Sequence, residues 1–450
     1  MRYKNFKELL EINAKQDPQG TVFLIDDKGK KTVTWQRFSD GVRQQAEVLR
    51  REKSTCIGIL CDNTYACISE IFAANQAGKQ IVLLDACASS EILKQQIHAA
   101  DADQLYGAPE RSAELSEALT DGCTEGKGKI LFFTSGTVSF AKAAVLSDAS
   151  LMQSAYNGGA CLPLHKTDIL LSILPLNHVF GFVCGILWGM SMHASVALGR
   201  GRRHLSDDCS FFHPTVISLV PMMLSFFLSH DLFNPECRLI LIGAGDCPEK
   251  YFLQAEKKGI QVSFGCGLTE TSSGVALSIG DDPLAMTVCP DDAITIAADG
   301  EILIEAPTCM MLGYYRQKED TAKILQNGIL HTGDLGFLDP AGKLHVIGRK
   351  KEILAFPDGT KIFLPEYEKA LKEILHTEEL AVVLLHDLPV LVLSELKTDK
   401  AAIMKQISVF NQDLARSHQI SDIIALDHAL YRTASGKIQR WMIQKEIEQG

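Results

Sequence analysis

Residues 56–60 read Cys-Ile-Gly-Ile-Leu and residues 80–84 read Gln-Ile-Val-Leu-Leu, with helical apolar spacing at 64–77 between them. Short apolar runs of this kind alternate with helical stretches as far as the run at 238–242. Such alternation is typical of layered folds in which most strands are parallel. The sequence therefore predicts an α/β fold for the first half of the chain.

The pattern changes after about residue 285, where short strands are separated by turn residues. Residues 293–296 and 300–304 flank an Asp-Gly pair, which is a strong signal for a hairpin. A second pair of runs, at 335–338 and 343–347, flanks an Asp-Pro-Ala-Gly turn. We expect these runs to form a small antiparallel β module.

Past Gly348 the chain returns to an α+β pattern, with a helical stretch at 366–374 and an apolar run at 380–385. The charged cluster at 349–352 is the expected domain boundary. We therefore divide the chain into an N-terminal domain, residues 1–349, and a C-terminal domain, residues 350–450.

The composition indicates a folded protein with a large core. The chain has 450 residues, of which 46% are hydrophobic and 22% are charged. At about 150 residues per domain, this length suggests roughly three units, or one large domain plus a smaller one. The net charge of −11 argues against binding to nucleic acid, which needs a basic face.

The cysteines and the N-terminus favour a cytoplasmic protein. The thirteen cysteines contain no Cys-x-x-Cys pair, which fits reduced, buried thiols. Charged residues are spread through the first ten positions, which lack the apolar stretch of a secretory signal. No window has about 18 uninterrupted apolar residues, so we expect no transmembrane segment.

Residues 132–142 join an apolar run to a loop rich in hydroxyl groups. The segment reads Phe-Phe-Thr-Ser-Gly-Thr-Val-Ser-Phe-Ala-Lys, and it ends at Lys142. Backbone amides, hydroxyls and an ammonium group can together hold a polyphosphate. The segment is not a Walker loop, and on its own it also fits a polar surface loop.

Residues 263–271, Ser-Phe-Gly-Cys-Gly-Leu-Thr-Glu-Thr, place a carboxylate after two glycines. Glu270 could bind Mg²⁺, which prefers one or two carboxylates together with phosphate oxygens. The alternative is the start of a helix, with Thr269 as the cap and Glu270 favoured by the helix dipole.

Two further segments each have a structural and a functional interpretation. His331-Thr332-Gly333-Asp334 is followed by Arg349, and this Asp and Arg could bind the diol of a ribose. Residues 432–440 include Ser-Gly-Lys, which presents Lys437 on a glycine turn. A surface turn and a basic loop are the alternatives.

Together, in this order and at this spacing, the segments resemble the adenylate-forming superfamily of acyl-CoA synthetases, amino-acid adenylation domains and luciferase. The resemblance covers nearly the whole chain. Residues 134–142 look like its phosphate loop, and Pro175 to Gly181 like its acyl-pocket motif. Gly267-Leu268-Thr269-Glu270 matches its Thr-Glu motif, and residues 435–438 match its C-terminal lysine motif.

The resemblance implies a fold and a two-step reaction. The fold is a large N-terminal domain of two αβα-layered subdomains and a small antiparallel module, followed by a mobile α+β C-terminal domain. A carboxylate attacks the α-phosphate of Mg-ATP, giving an acyl-adenylate and pyrophosphate. The C-terminal domain then rotates, and a thiol accepts the acyl group.

The resemblance also implies roles for individual residues. Lys437, Thr269, Glu270 and His178 are the expected catalytic residues, and Glu270 is also the expected metal ligand. His178 would border the acyl site, although a buried structural histidine is the alternative. The nucleotide would be bound by the following residues: Thr134, Ser135, Gly136, Thr137, Lys142, Gly243, Ala244, Gly245, Cys266, Gly267, Asp334 and Arg349.

One departure from the family pattern affects adenine binding. The family usually has an aromatic residue, often Tyr, at the position of Cys266. Phe264 lies two residues upstream, and we expect it to point to the other side of an extended segment. Adenine stacking is therefore expected to be weaker or to come from elsewhere.

Fatty-acyl-CoA ligases are the members that residues 348–366 resemble most. With the apolar run at 180–187, this favours a fatty acid as the substrate, within a class of aliphatic or aryl carboxylic acids. The expected cofactors are ATP, Mg²⁺ and CoA, or the phosphopantetheine of an acyl carrier protein as the alternative acceptor. A binding protein that has lost catalysis is the alternative from another class.

Overall fold

The computed structural model describes residues 2–122, 128–134, 142–245, 247–280, 282–355, 361–385, 388–394, 399–412, 414, 416–432 and 438–449. Its strands are β1 Thr21–Asp26, β2 Lys30–Thr34, β3 Cys56–Cys61, β4 Gln80–Asp85, β5 Gln104–Tyr106, β6 Lys129–Phe133, β7 Ala143–Ser147, β8 Ile169–Ser172, β9 Ser195–Leu198, β10 Val216–Leu219, β11 Leu239–Ile242, β12 Gln261–Leu268, β13 Ser273–Ser278, β14 Met286–Val288, β15 Ala293–Ile296, β16 Glu301–Glu305, β17 Gly313–Tyr314, β18 Leu325–Gln326, β19 Ile329–Leu338, β20 Leu344–Arg349, β21 Ile353–Ala355, β22 Lys361–Phe363, β23 Leu380–Leu385, β24 Leu388–Ser394 and β25 Asp422–Leu426.

The α-helices lie mainly between these strands. They are α1 Phe6–Gln16, α2 Trp35–Arg51, α3 Tyr65–Gln76, α4 Ser90–Ala99, α5 Pro109–Glu114, α6 Asp148–Cys161, α7 Val179–Phe182, α8 Trp188–Ser191, α9 Leu205–Phe212, α10 Pro221–Ser229, α11 Glu249–Glu256, α12 Lys318–Ile324, α13 Leu364–Leu375, α14 Lys400–Gln406, α15 Ser408–Gln412 and α16 Arg440–Gln449.

Two large sheets confirm the predicted α/β fold. The first has the order β17-β7-β6-β4-β3-β5, and its strands from β6 to β5 are parallel. The second has the order β15-β16-β19-β20-β14-β13-β12-β11-β10-β8-β9-β1-β2, with β18 paired to β19. Local sequence explains several helix starts, because the side chains of Thr64 and Ser89 cap α3 and α4.

The predicted antiparallel module is present, and it continues the second sheet. Strand β12 makes the junction: its Phe264 pairs in parallel with Ile242, and the next residue, Gly265, pairs antiparallel with Leu277. The segment expected to bind the nucleotide therefore lies where the pairing changes from parallel to antiparallel.

A core of buried aromatic rings fixes the helix that follows the acyl-pocket motif. The ring of Phe6 lies 4.6 Å from that of Phe72, and Phe182 lies 6.0 Å from both Phe6 and Phe132. Each fully buried ring contributes roughly 1.5–3 kcal/mol through the hydrophobic effect. This packing holds α7, a π-helical turn at Val183–Leu187 and α8 as one continuous helix.

The C-terminal part has its own small sheet and core. Strands β23 and β24 are antiparallel, β24 and β25 are parallel, and α13 packs against β23. Strand β20 ends at Arg349, and a short helical turn, Lys350–Glu352, follows it. The division of the chain after residue 349 and the mobility of the C-terminal part stay predictions. None of the helices within the described part of the chain is long and apolar enough to cross a membrane.

Candidate functional site

The two ends of the predicted phosphate loop lie on neighbouring strands. Strands β6 and β7 form a hairpin, and the amide of Thr134 donates to the carbonyl of Lys142 at 2.8 Å. Residues 135–141, which include Ser135, Gly136 and Thr137, lie outside the described residues. The hairpin thus holds Thr134 and Lys142 opposite each other, at the ends of β6 and β7 where the loop begins and ends.

Lys142 contacts two residues that lie outside the predicted motifs. Its ammonium group lies 3.1 Å from the carboxylate of Asp320 and 5.0 Å from the centroid of the Tyr314 ring. Lys323 and Lys142 hold the pKa of the Asp320 carboxyl below its usual range. Asp320 belongs to α12, so this short helix contacts the end of the phosphate loop.

Glu270 contacts Tyr314, the same tyrosine that lies beside Lys142. The hydroxyl of Tyr314 donates to Glu270 Oε1 at 2.5 Å, and the Glu270 carbonyl accepts the amide of Met311 at 2.7 Å. Burial and the adjacent Glu270 raise the pKa of Tyr314, so the hydroxyl keeps its proton and donates. Thr269 and Glu270 lie in a short helical turn at the end of β12. The structure therefore brings Lys142, Tyr314 and Glu270 into one cluster.

Gly267 allows the backbone of β12 to bend. The β12–β13 register shifts between Cys266 and Gly267, and a Cβ atom on Gly267 would lie 1.9 Å from the carbonyl oxygen of Ser273. No side chain fits there, so glycine is required.

The prediction that Phe264 and Cys266 point to opposite sides of the segment is wrong. Phe264, Cys266 and Leu268 all pack against the same core cluster, because residues two apart along a strand share a face. The ring of Phe264 also contacts that of Phe252 at 6.0 Å. Phe264 is thus held by packing on the face that it shares with Cys266.

Gly243, Ala244 and Gly245 follow β11 directly, at the carboxyl end of a parallel strand. Ala244 has a φ of +66°, and a Cβ atom on Gly243 would lie 3.0 Å from the ring of Phe180. Phe180 belongs to the acyl-pocket motif. The segment 243–245, which is expected to bind the nucleotide, is therefore in contact with the acyl-pocket motif.

His178 caps the helix that begins at Val179, and its carbonyl accepts the amide of Phe182 at 3.0 Å. Burial lowers the pKa of the half-buried imidazole, which is therefore neutral at physiological pH. A neutral ring can orient a substrate through a hydrogen bond without adding charge.

Asp334 and Arg349, the predicted ribose residues, are directly paired. They are opposite each other in the β19–β20 register, and Arg349 Nε lies 3.0 Å from Asp334 Oδ1. Gly333 has a φ of +71°, and its amide donates to the buried Glu301 at 2.8 Å. Lys350 also donates to Glu301, at 2.7 Å, so this carboxylate ties the turn to the start of the C-terminal part.

Lys437 lies outside the described residues, as do its neighbours 433–436. The residues that flank this segment, Arg432 and Ile438, pair in an isolated bridge. Arg440, at the start of α16, donates to the buried Glu368 at 2.8 Å. The base of the predicted lysine loop is therefore anchored to α13.

A cavity lies between α6, the π-helical turn and strands β11 and β13. Its enclosed interior measures about 20 Å³, room for one water molecule, and with its mouth the empty space is about 330 Å³. None of its lining residues carries a charge: Ser154, Ala155, Gly158, Leu162, Val183, Cys184, Trp188, Leu241, Gly274 and Leu277. The cavity starts just beyond the acyl-pocket motif, and Gly274 and Leu277 of β13 form part of its wall.

The sequence is similar to a known protein family and to individual proteins of known name. The family described as AMP-binding enzyme matches residues 127–315. The 2-succinylbenzoate–CoA ligase of Oceanobacillus iheyensis is 28% identical over 373 residues, which cover 72% of this chain and 75% of that protein. A Bacillus cereus protein of the same name is 26% identical over 421 residues, covering 82% and 83%.

Solved structures share the fold. The o-succinylbenzoate CoA synthetase from Bacillus subtilis, in complex with an acyl-adenylate intermediate, has a TM-score of 0.82 at 22% identity and covers 97% of both chains. An anthranilate CoA ligase in complex with anthranoyl-AMP has a TM-score of 0.81 at 19% identity, covering 99% of this chain and 98% of that one. The likeness extends over both the N-terminal and the C-terminal parts.

Proposed function

We propose that this chain, whose residues 127–315 match the family of AMP-binding enzymes, joins a carboxylic acid to the thiol of coenzyme A with the cleavage of ATP to AMP and pyrophosphate. The carboxylate attacks the α-phosphate, an acyl-adenylate forms and pyrophosphate leaves. The thiol then attacks the acyl carbon, and AMP leaves. This reaction makes the protein an acid–thiol ligase of the AMP-forming type.

The observation that carries the proposal is the cluster of Lys142, Tyr314 and Glu270. An ammonium group, a phenol and a carboxylate meet at the end of a hydroxyl-rich loop. An ammonium group neutralises phosphate charge, and a carboxylate suits the Mg²⁺ that accompanies ATP. Phosphoryl chemistry needs this alignment and charge neutralisation more than it needs acid–base catalysis.

Glu270 fits the role of magnesium ligand. Tyr314 donates to one of its oxygens and so fixes the carboxylate in one orientation. Across the described parts of the chain, no group of three or more His, Cys, Asp or Glu side chains is arranged to hold a metal. Glu270 would therefore share the ion with phosphate oxygens, and bound Mg²⁺ would neutralise charge on the triphosphate.

The nucleoside would be held between two parts of the second sheet. Asp334 would accept from the ribose diol, and Arg349, paired to it at 3.0 Å, holds the carboxylate in one orientation. The backbone at 243–245 and the β12 bend at Cys266 and Gly267 would border the adenine.

Lys437 would supply the cation for the first step. The resemblance assigns it to the charge that develops on the α-phosphate and the attacking carboxylate. Thr269 would contact the α-phosphate, and the neutral His178 would border the acyl group. Rotation of the C-terminal part would then exchange Lys437 for the thiol.

For the acid we propose a compact acyl group bound in the cavity beside α6. The enclosed interior of about 20 Å³ is far smaller than ordinary ligand sites, which span about 300–1,000 Å³, so the cavity takes only a small acyl group unless its lining moves. A fatty acid, which the sequence favours, is the second candidate, because Val183, Trp188 and Leu241 provide an apolar lining. A long chain would have to displace those buried side chains.

The acceptor that we propose is CoA, in line with the names of the two curated relatives. The phosphopantetheine of a carrier protein is the alternative acceptor, and CoA consumption distinguishes the two. We also propose a cytoplasmic location, where ATP and CoA are supplied and thiols stay reduced. None of the twelve cysteines in the described residues forms a disulfide.

The test is pyrophosphate release from ATP with a panel of carboxylic acids, with and without CoA. We expect acid-dependent release, and CoA consumption in proportion to it. Glu270→Gln and Lys142→Met should both reduce the rate, whereas Lys445→Met, which changes an exposed lysine of α16, should not. Nucleotide binding without acid-dependent pyrophosphate release would instead identify a binding protein that has lost catalysis.

A further inference from the structure

The cavity beside α6 contains a buried hydroxyl group with no partner. Ser154 is only 3% exposed, and its Oγ makes no hydrogen bond to any described residue. Buried polar atoms without partners are rare, because each forgoes the hydrogen bond that water would supply. An unpaired hydroxyl that borders an empty space is therefore a site for a ligand atom.

The hydroxyl of Ser154 does not form a hydrogen bond with the backbone of its own helix. A serine inside a helix often donates to the carbonyl one turn earlier, which here is that of Ser150. No such bond is present among the described residues, although Ser150 itself donates to Ser147 at 2.8 Å. Ser154 thus keeps its hydrogen-bonding capacity for whatever occupies the cavity.

The other two polar side chains of the lining, Trp188 and Cys184, already have partners. Trp188 Nε1 donates to the carbonyl of Leu162 at 3.2 Å. Cys184 Sγ lies 3.5 Å from the hydroxyl of Ser273, and the Cys184 carbonyl accepts from Ser218 at 3.0 Å. Burial raises the pKa of the Cys184 thiol to about 11, so it is neutral. The lining therefore offers one free hydroxyl and no charge.

The wall opposite α6 is a π-helical turn, Val183–Leu187. Such turns are rare and occur often at functional sites, where they displace side chains from ordinary helical positions. Here the turn places Val183 and Cys184 in the cavity wall. The hydroxyl of Ser154 and the apolar side chain of Val183 thus line the same small cavity.

We propose that Ser154 is a specificity-determining residue that selects a compact monocarboxylic acid with a neutral keto or hydroxyl oxygen in its acyl portion. This rests on the proposed function and names the acid class for its site. A second carboxylate in the cavity would lack a counter-charge and would be poorly tolerated. An acyl chain without oxygen would leave the Ser154 hydroxyl unpaired.

The test compares three acids that differ by one group. Benzoylpropionate has a keto oxygen, phenylbutyrate lacks it, and 2-succinylbenzoate adds a second carboxylate to the ring. Wild type should favour benzoylpropionate over phenylbutyrate about three- to ten-fold in kcat/KM, as expected for one hydrogen bond. Activity with 2-succinylbenzoate should be lower than with benzoylpropionate.

The variant Ser154→Ala should abolish the preference for the keto acid, measured as the ratio of kcat/KM with benzoylpropionate to kcat/KM with phenylbutyrate. Ser172→Ala is the matched control, because Ser172 is also fully buried with an unpaired hydroxyl and does not line the cavity. It should keep the wild-type preference.

The outcomes separate this inference from the proposed function. Pyrophosphate release with a preference that Ser154→Ala leaves unchanged would overturn the inference alone, as would 2-succinylbenzoate being the best acid. Calorimetric titration with benzoylpropionate gives a readout that does not need turnover. Wild type that neither binds nor activates any of the three acids would overturn the inference, and failure across the wider acid panel would overturn the function.

Discussion

The ammonium group of Lys142 lies 3.1 Å from the carboxylate of Asp320, and both side chains are about one-third exposed, at 32% and 31%. Lys142 is the lysine expected to meet the triphosphate of ATP. Asp320 therefore neutralises this lysine in the structure, and ATP must either displace the carboxylate or bind beside it.

Removing that charge should strengthen ATP binding. For Asp320→Asn we expect the KM for ATP to fall about two- to five-fold, the size of an exposed ion pair. Glu319→Gln is the control, because it removes a neighbouring charge on the same helix that makes no ion pair among the described residues. A higher KM in Asp320→Asn would mean that Asp320 contributes to binding Mg-ATP.

Replacing Lys437 should separate the two half-reactions. Lys437→Ala removes a cation aimed at charge that develops in the transition state, so adenylation should fall about 10²–10³-fold. Thioester formation from supplied acyl-adenylate should fall much less. Single-turnover assays of each step measure this, with Lys445→Ala as the control. Equal losses in both steps would contradict the role assigned to Lys437.

The bend in β12 gives a prediction about stability. A methyl group on Gly267 would meet the Ser273 carbonyl at 1.9 Å, so Gly267→Ala should lower the free energy of unfolding by about 1–3 kcal/mol. On the paired strand, a methyl group on Gly274 would meet its nearest neighbour at 3.8 Å, so Gly274→Ala should change it little. Denaturant unfolding of both variants checks this. Equal stability of the two would show that the bend is not sterically required.

The neutral His178 predicts a dependence of stability on pH. Its folded-state pKa is below the unfolded value of about 6.5, so the unfolded chain takes up the proton first as the pH falls. His178 should therefore lower the free energy of unfolding below pH 6.5, by at most about 1.4 kcal/mol per pH unit. The comparison is wild type against His178→Asn, each unfolded by denaturant from pH 7 to 5.

His428 provides a control of the opposite sign. The Ala429 carbonyl and Glu446 raise its pKa, so its contribution to stability is present at low pH and is lost as the pH rises through the folded-state pKa. The difference between wild type and His428→Gln should therefore grow as the pH falls. The explanation for His178 is contradicted if wild type gains stability over His178→Asn as the pH falls, as it is expected to do over His428→Gln.

Local patterns predicted the α/β alternation because each strand and helix has its own apolar period. They did not predict that the antiparallel strands continue the second sheet, since the pairing of β12 with both β11 and β13 is a non-local contact. The orientation of Phe264 was predicted wrongly: the side-chain period of a strand is two, and Phe264 shares a face with Cys266.

Local sequence motifs likewise predicted some of the site residues and not others. Glu270 and the Asp334–Arg349 pair were visible because short contiguous motifs surround them. Tyr314 and Asp320 were not predicted, because each meets its partner only through the fold and neither lies in a recognisable motif. Ser154 had no sequence signal either, since an unpaired hydroxyl can be recognised only once its surroundings are known.

The central claim is that a carboxylate attacks the α-phosphate of ATP, and isotope transfer tests it directly. The enzyme is given CoA, ATP and a carboxylic acid that it activates, labelled with oxygen-18 in the carboxyl group, and the AMP formed is analysed by mass spectrometry. We predict one labelled oxygen in each AMP, because the carboxylate oxygen that bonds to phosphorus stays there when the thiol takes the acyl group. Acyl-CoA formed together with unlabelled AMP, or with label in inorganic phosphate, would contradict the account.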